Sequence, residues 1–153
     1  MHKGDVVPDF ELPDQTGTPR QLSEFLADGP VVLFFYPAAM TYGCTKESCH
    51  FRDLSAEFGA VGAHVVGISA DQVDKQRRFD EKESLGFPLL SDPDRIVAAQ
   101  LGAKRGVSFL PNKRITFVID TDRSILDVFH SEVSMGSHAD KALALLKARR
   151  SAA

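Results

Sequence analysis

The run Val31-Val32-Leu33-Phe34-Phe35-Tyr36, stopped by Pro37, constrains this chain more than any other stretch. Apolar residues without alternation fit a strand covered on both faces, which calls for helices on either side of a sheet. Behind the proline the pattern changes. Phe51, Leu54 and Phe58 recur three and four residues apart, the spacing of one helix. A buried strand thus leads into a turn, and the turn into a helix carrying Cys44 and Cys49, the only cysteines of the chain.

The remaining segments alternate in the same way. Phe10 and Leu12, then the Gly17 turn, then Gln21-Leu22 read as an N-terminal hairpin. Ser23 is placed to cap a short helix through Leu26, which Gly29-Pro30 ends. His64–Ser69 reads as a second buried strand, and Asp71–Glu83 as an exposed helix with Val73, Gln76 and Phe79 inward. Phe87–Leu90 is a brief strand; Ser91-Asp92-Pro93 starts another helix, with the proline at an early helical position, running over Ile96–Leu101. Gly102–Asn112 is a loop. Ile115–Ile119 and Ile125–Phe129 form a hairpin around Asp120–Arg123, and Ser137–Arg149 closes the chain as a helix. Strands alternating with helices, then a hairpin, then a helix, predict a three-layer α/β sandwich.

A chain of 153 residues without repeat or linker is expected to form one domain, residues 1–153, with a sizeable core. The balance of 18 basic against 21 acidic residues offers no nucleic-acid or membrane surface. MHKGDVVPDFELPDQ lacks an apolar core of signal-peptide length, and no window nears the roughly 18 apolar residues of a membrane span. The expected compartment is the cytoplasm, where two cysteines are more often reduced or redox-active than a structural staple.

Thr41 is a good N-cap residue, which puts Cys44 at the third helical position. Backbone N–H groups there lack helical acceptors and the helix dipole favours an anion, so the thiol is expected to exist partly as the reactive thiolate. Cys44 precedes Phe51 by seven residues and shares its inward stripe, so a sheltered pocket is expected. Cys49 falls about 140° further round, toward the outer face, with the two Cα atoms roughly 8–9 Å apart in an intact helix. A disulfide wants less than about 7 Å. The pair can therefore bond only if the helix start unwinds, as in a bond made during a reaction cycle. Spacing alone leaves open a pair of thiols that simply pack. Zinc lacks a second ligand pair, and the spacing is Cys-x4-Cys rather than the Cys-x-x-Cys of a thioredoxin-type exchanger.

FYPAAMTYGCTKESCHFRD resembles the active-site segment of the peroxiredoxins, with Pro37, Thr41 and Cys44 in the spacing Pro-x-x-x-Thr-x-x-Cys. The second cysteine five residues on resembles the PrxQ subfamily, also called bacterioferritin comigratory protein. GDVVPDFELPDQTGTPRQL, VVGISAD, FPLLSDPD and RITFVID resemble further stretches of that subfamily in the same order. The resemblance implies a thioredoxin-like fold, a central mixed β-sheet flanked by helices with an N-terminal β-hairpin. It also implies thiol-dependent reduction of hydrogen peroxide and organic hydroperoxides, with no cofactor and no metal.

By position Cys44 resembles the peroxidatic cysteine and Cys49 the resolving one, closing an intramolecular disulfide. Thr41 would bond the thiolate and the peroxide, Pro37 would shield the pocket, and Arg114 matches the arginine supplied by a distant strand, with Arg105 as its alternative. The implied reductant is thioredoxin or a similar dithiol, and the implied state a monomer. Each residue also has a plainer reading: Thr41 as a cap, Pro37 as a strand end, Arg114 as a strand-edge charge, Arg52 as a solvated helix residue. None of the five histidines is assigned a role. Tyr42 stands where the subfamily usually has proline, which predicts a looser helix start and altered substrate access. Two rival functions, disulfide exchange on proteins and one-shot peroxide sensing, require neither Pro37 nor Thr41.

Overall fold

A computed structural model describes residues 1–104, 112–130 and 136–152 of the chain. The element order is β1 (Glu11–Pro13), β2 (Pro19–Gln21), α1 (Leu22–Leu26), β3 (Val31–Phe35), α2 (Tyr42–Asp53), α3 (Ser55–Ala60), β4 (His64–Ser69), α4 (Val73–Glu83), β5 (Leu89–Ser91), α5 (Ile96–Leu101), β6 (Ile115–Ile119), β7 (Ile125–His130) and α6 (Ser137–Ala152). Strands β1 and β2 form the N-terminal antiparallel hairpin, and the other five form one mixed sheet in the order β5-β4-β3-β6-β7. β3 is its centre, parallel to β4 and antiparallel to β6.

The all-apolar β3 divides its side chains between two cores. Val31, Leu33 and Phe35 face α1 and α5 through Phe25, Leu26 and Val97. Val32, Phe34 and Tyr36 face α2 and α6 through Cys44, Phe51, Ala142 and Leu143. Period-2 alternation inside an unbroken apolar run thus feeds two helical layers.

Phe34 and Phe51 lock α2 onto the sheet, their rings stacked at 4.4 Å between centroids. Gly67 of β4 makes the room, because a Cβ there would stand 2.9 Å from Phe34 Cζ. Truncating Phe51 to alanine in so dense a layer costs about 3–5 kcal/mol.

Several boundaries depart from the sequence reading. The expected single helix breaks at Leu54 (φ −95°, ψ 8°), between Asp53 and Ser55, whose short polar side chains compete with helical hydrogen bonding. Ser23 lies inside α1 rather than at its cap, and both its backbone N–H and its hydroxyl donate to Asp9. β5 starts at Leu89, beyond Pro88, which has no N–H for the ladder. Pro93 stands in a turn before α5, and the Asp92 carboxylate accepts the Ile96 and Ala98 N–H groups, each at 3.0 Å. α4 begins at Val73 because Asp71 is engaged elsewhere. Among the described residues, no helix is long and apolar enough to cross a membrane.

Candidate active site

β3 ends beneath the site, and Tyr36 carries the chain into the turn Pro37–Thr41. Two anchors shape that turn. Asp71 Oδ2 accepts the Ala39 N–H at 2.7 Å and the Ser69 hydroxyl at 2.7 Å. Thr41 Oγ1 donates to Ala38 O at 2.8 Å. Between them Met40 adopts φ 66°, a left-handed conformation uncommon for its residue type and therefore held by its surroundings.

Below the turn lies a buried relay. The Tyr36 hydroxyl donates to Gln76 Oε1, and Gln76 Nε2 donates to Ser69 Oγ at 3.0 Å and Leu90 O at 2.9 Å. Burial pushes the Tyr36 phenol far above its ordinary range, so it serves as a neutral donor.

Thr41 is the residue before α2, with extended backbone, as its capping role required (φ −87°, ψ 158°). Its hydroxyl nevertheless caps no helix N–H, because it is turned back onto Ala38. The N–H groups of Tyr42, Gly43 and Cys44 therefore receive no acceptor from the Thr41 hydroxyl, and Cys44 is the third residue of that turn. Cys44 is fully buried. Tyr42, first in the helix, points outward at 83% exposure, and the helix starts there without the proline.

The decisive contact comes from across the sheet. The register Phe35↔Ile115 brings the start of β6 beside the end of β3, and alternation turns Arg114 and Thr116 to the face opposite Ile115 and Phe117, the face that α2 covers. Arg114 Nη2 lies 3.3 Å from Cys44 Sγ, and Nη1 lies 2.8 Å from Glu47 Oε1. Glu47 follows Cys44 by three residues on α2, hence on the same face. Arg114 is 5% exposed. Burial works against its charge, but the Glu47 carboxylate and the Cys44 sulfur outweigh that and hold it firmly protonated. The guanidinium fork thus presents fixed positive charge to the sulfur while the carboxylate fixes its orientation.

The network continues into α6. His138 is fully buried, with Nδ1 at 2.7 Å from Thr116 Oγ1 and 3.8 Å from Glu47 Oε2. Sequence reasoning missed Glu47, Thr116 and His138. A charged residue on the inward stripe of a helix, one turn after a reactive cysteine, was the signal for Glu47. His138 carried none.

Cys49 is not part of this cluster. It is half-buried, both thiols are free, and its Sγ faces Glu83 Oε2 at 3.5 Å. Pro37 is half-buried in the turn, Arg105 lies outside the described residues, and Arg52 is held by Asp53 and the Glu83 carbonyl. Among the described residues, no group of His, Cys, Asp or Glu is arranged to hold a metal ion.

The site is a buried thiol at a helix start under a clamped guanidinium. The AhpC/TSA family profile matches residues 3–128. Peroxiredoxin Bcp of Escherichia coli is 42% identical over 152 residues, covering 96% of each chain. The chloroplastic peroxiredoxin Q of Sedum lineare is 39% identical over 145 residues, 95% of this chain and 77% of that one. The crystal structure of peroxidoxin BcpB from Mycobacterium tuberculosis superposes with a TM-score of 0.94 at 65% identity, covering 97% of both chains.

Proposed function

The chain belongs to the AhpC/TSA family and is a thiol-dependent peroxidase of the peroxiredoxin type, and from that premise we propose how its residues divide the reaction. Cys44 is the peroxidatic cysteine and Cys49 the resolving one. The observation that carries the Cys44 assignment is the Arg114 Nη2–Cys44 Sγ contact of 3.3 Å on a fully buried sulfur.

The Cys44 thiolate attacks one peroxide oxygen; the S–O bond forms as the O–O bond breaks, and the departing oxygen leaves as water or alcohol after taking up a proton. Arg114 and the N–H groups at the start of α2 face the charge that develops on the reacting oxygens. Pro37 and the turn that Asp71 anchors keep water from the sulfur. Thr41 holds that turn through Ala38, and its oxygen retains lone pairs for a peroxide proton.

The first turn of α2 then unwinds, the Cys49 sulfur attacks the Cys44 sulfenic acid, and water leaves as the disulfide forms. A dithiol donor such as thioredoxin reduces that disulfide, so each cycle consumes one peroxide and one dithiol. We place the enzyme in the cytoplasm as a single-domain monomer acting on hydrogen peroxide and organic hydroperoxides, without nucleic-acid or membrane partners.

The test is peroxide turnover supplied by thioredoxin and its reductase. Sustained turnover that Cys44→Ser and Cys49→Ser each abolish supports the assignment. Turnover that survives in Cys49→Ser with thioredoxin alone removes the resolving role.

A further inference from the structure

Cys49 keeps different company from Cys44, and that company includes a base. Its Sγ lies 3.5 Å from Glu83 Oε2, a contact in which the thiol donates and the carboxylate accepts. Glu83 is the last residue of α4, and Ser84 behind it turns left-handed (φ 51°). The same residue docks on α2 a second time, because Arg52 Nη1 donates to Glu83 O at 2.5 Å. Thiol and carboxylate are therefore held together by two bonds between α2 and α4.

The charged groups facing the sulfur are Glu83 from α4 and Arg52 and Asp53 from α2. Lys46, His50 and Asp140 rim the open cavity of about 480 Å³ that reaches Cys49. Burial pushes the Cys49 thiol up, and the Glu83 hydrogen bond adds to it. The resident group is a protonated thiol, whereas only a thiolate attacks a sulfenic acid efficiently.

We propose that Glu83 is the catalytic base of the disulfide-forming step, taking the proton from Cys49 as its sulfur attacks Cys44. This rests on Cys49 being the resolving cysteine. The Cys49 S–H bond breaks and its proton passes to the Glu83 carboxylate. The Cys49 sulfur forms the S–S bond as the S–O bond of the Cys44 sulfenic acid breaks. The departing hydroxide takes the proton from the Glu83 carboxylic acid and leaves as water, which restores the carboxylate. No other reactant is required.

The packing of α2 says which cysteine travels. Its second half is pinned by the Phe51–Phe34 stack at 4.4 Å, by His50 Nε2 to Asp140 Oδ1 at 2.8 Å and by Arg52 on Glu83. The segment carrying Cys44 is the helix terminus, where fraying is easiest. Cys44 therefore moves out to Cys49, and Cys49 meets it still beside its base.

The experiment is a single turnover of reduced protein with one equivalent of hydrogen peroxide, quenched by thiol alkylation and read by intact mass, for the parent, Glu83→Gln and Glu83→Asp. The same traces give the peroxide step and the disulfide step, so their ratio removes any loss of folded protein. The expected result is a ratio about a hundredfold or more lower in Glu83→Gln at neutral pH. That gap closes as rising pH generates the thiolate without the base, and Glu83→Asp recovers part of the rate. A ratio equal to the parent's overturns the proposal, and so does a deficit constant at every pH, which is the mark of a hydrogen bond that only positions. A parent that forms no Cys44–Cys49 bond overturns this proposal together with the resolving role beneath it; equal rates in parent and Glu83→Gln overturn this proposal alone.

Discussion

Arg114 and Cys44 stand 70 positions apart in the chain, yet Arg114 Nη2 lies 3.3 Å from Cys44 Sγ. The antiparallel β3–β6 register makes the contact, and Glu47 aims it. Because guanidinium and carboxylate are both buried, removing either one strands the other charge.

Arg114→Ala is expected to slow oxidation of Cys44 by about 10²–10³, the usual loss for one donor to a developing oxyanion. Arg114→Lys recovers little, because a single ammonium cannot hold sulfur and carboxylate together. Competition kinetics against a reference peroxidase measure the rate.

Stability separates the two halves of the buried pair. Arg114→Met and Glu47→Leu should each cost about 3–5 kcal/mol by leaving an uncompensated buried charge, while the double variant loses less than the sum. Urea unfolding of the four proteins closes the cycle, and strict additivity would contradict the coupling.

Thr116→Val deletes the hydroxyl bonded to His138 Nδ1 in a fully buried setting. The expected cost is about 1–3 kcal/mol of unfolding free energy. The peroxide step should also slow, because His138 stands against the carboxylate that aims Arg114. Thr116→Ser, keeping the hydroxyl, should restore both.

Tyr42→Pro tests the helix start. Thr41 already has the extended backbone that a following proline requires, and the first helical N–H has no helical acceptor to lose. The substitution should stabilise the reduced protein by about 0.4–1 kcal/mol and slow disulfide closure, since the turn that must unwind is stiffer. Unchanged melting and unchanged closure would show that Tyr42 does not set the unwinding.

Acid stability should have a contribution from the hairpin turn. Asp14 is 6% exposed and takes hydrogen bonds from Thr16 N at 2.8 Å, Thr16 Oγ1 at 2.6 Å, Thr18 N at 3.2 Å and Arg20 Nη1 at 3.2 Å. Burial acts to raise its carboxyl, but those bonds hold it below its ordinary 3.8. A depressed carboxyl lends stability above its unfolded value and loses it as pH falls through the folded one. The melting difference between parent and Asp14→Asn should therefore be full above about pH 5 and shrink below about pH 4.

Strands were legible wherever local pattern and burial agree. VVLFFY read as a strand covered on both faces and ITFVI as a hairpin strand, and they are β3, which ends at Phe35, and β6. Helix starts were less legible, because Asp9 and Asp92 supply their hydrogen bonds from outside the helices they serve. At the site, Thr41, Cys44 and Arg114 fell in a motif or its matching strand. The Cys49–Glu83 contact could not be read, since 34 residues separate its partners and only the docking of α4 on α2 joins them. His138 was hidden for the same reason: its meaning depends on α6 crossing β6 at Thr116.

The most direct measurement of the division of labour between the cysteines is intact mass after one equivalent of hydrogen peroxide on the fully reduced protein. If Cys44 attacks and Cys49 resolves, the parent loses two hydrogens, Cys49→Ser gains one oxygen, and Cys44→Ser is unchanged. A parent that stays inert over minutes, or a Cys44→Ser variant that gains the oxygen instead, would contradict the account.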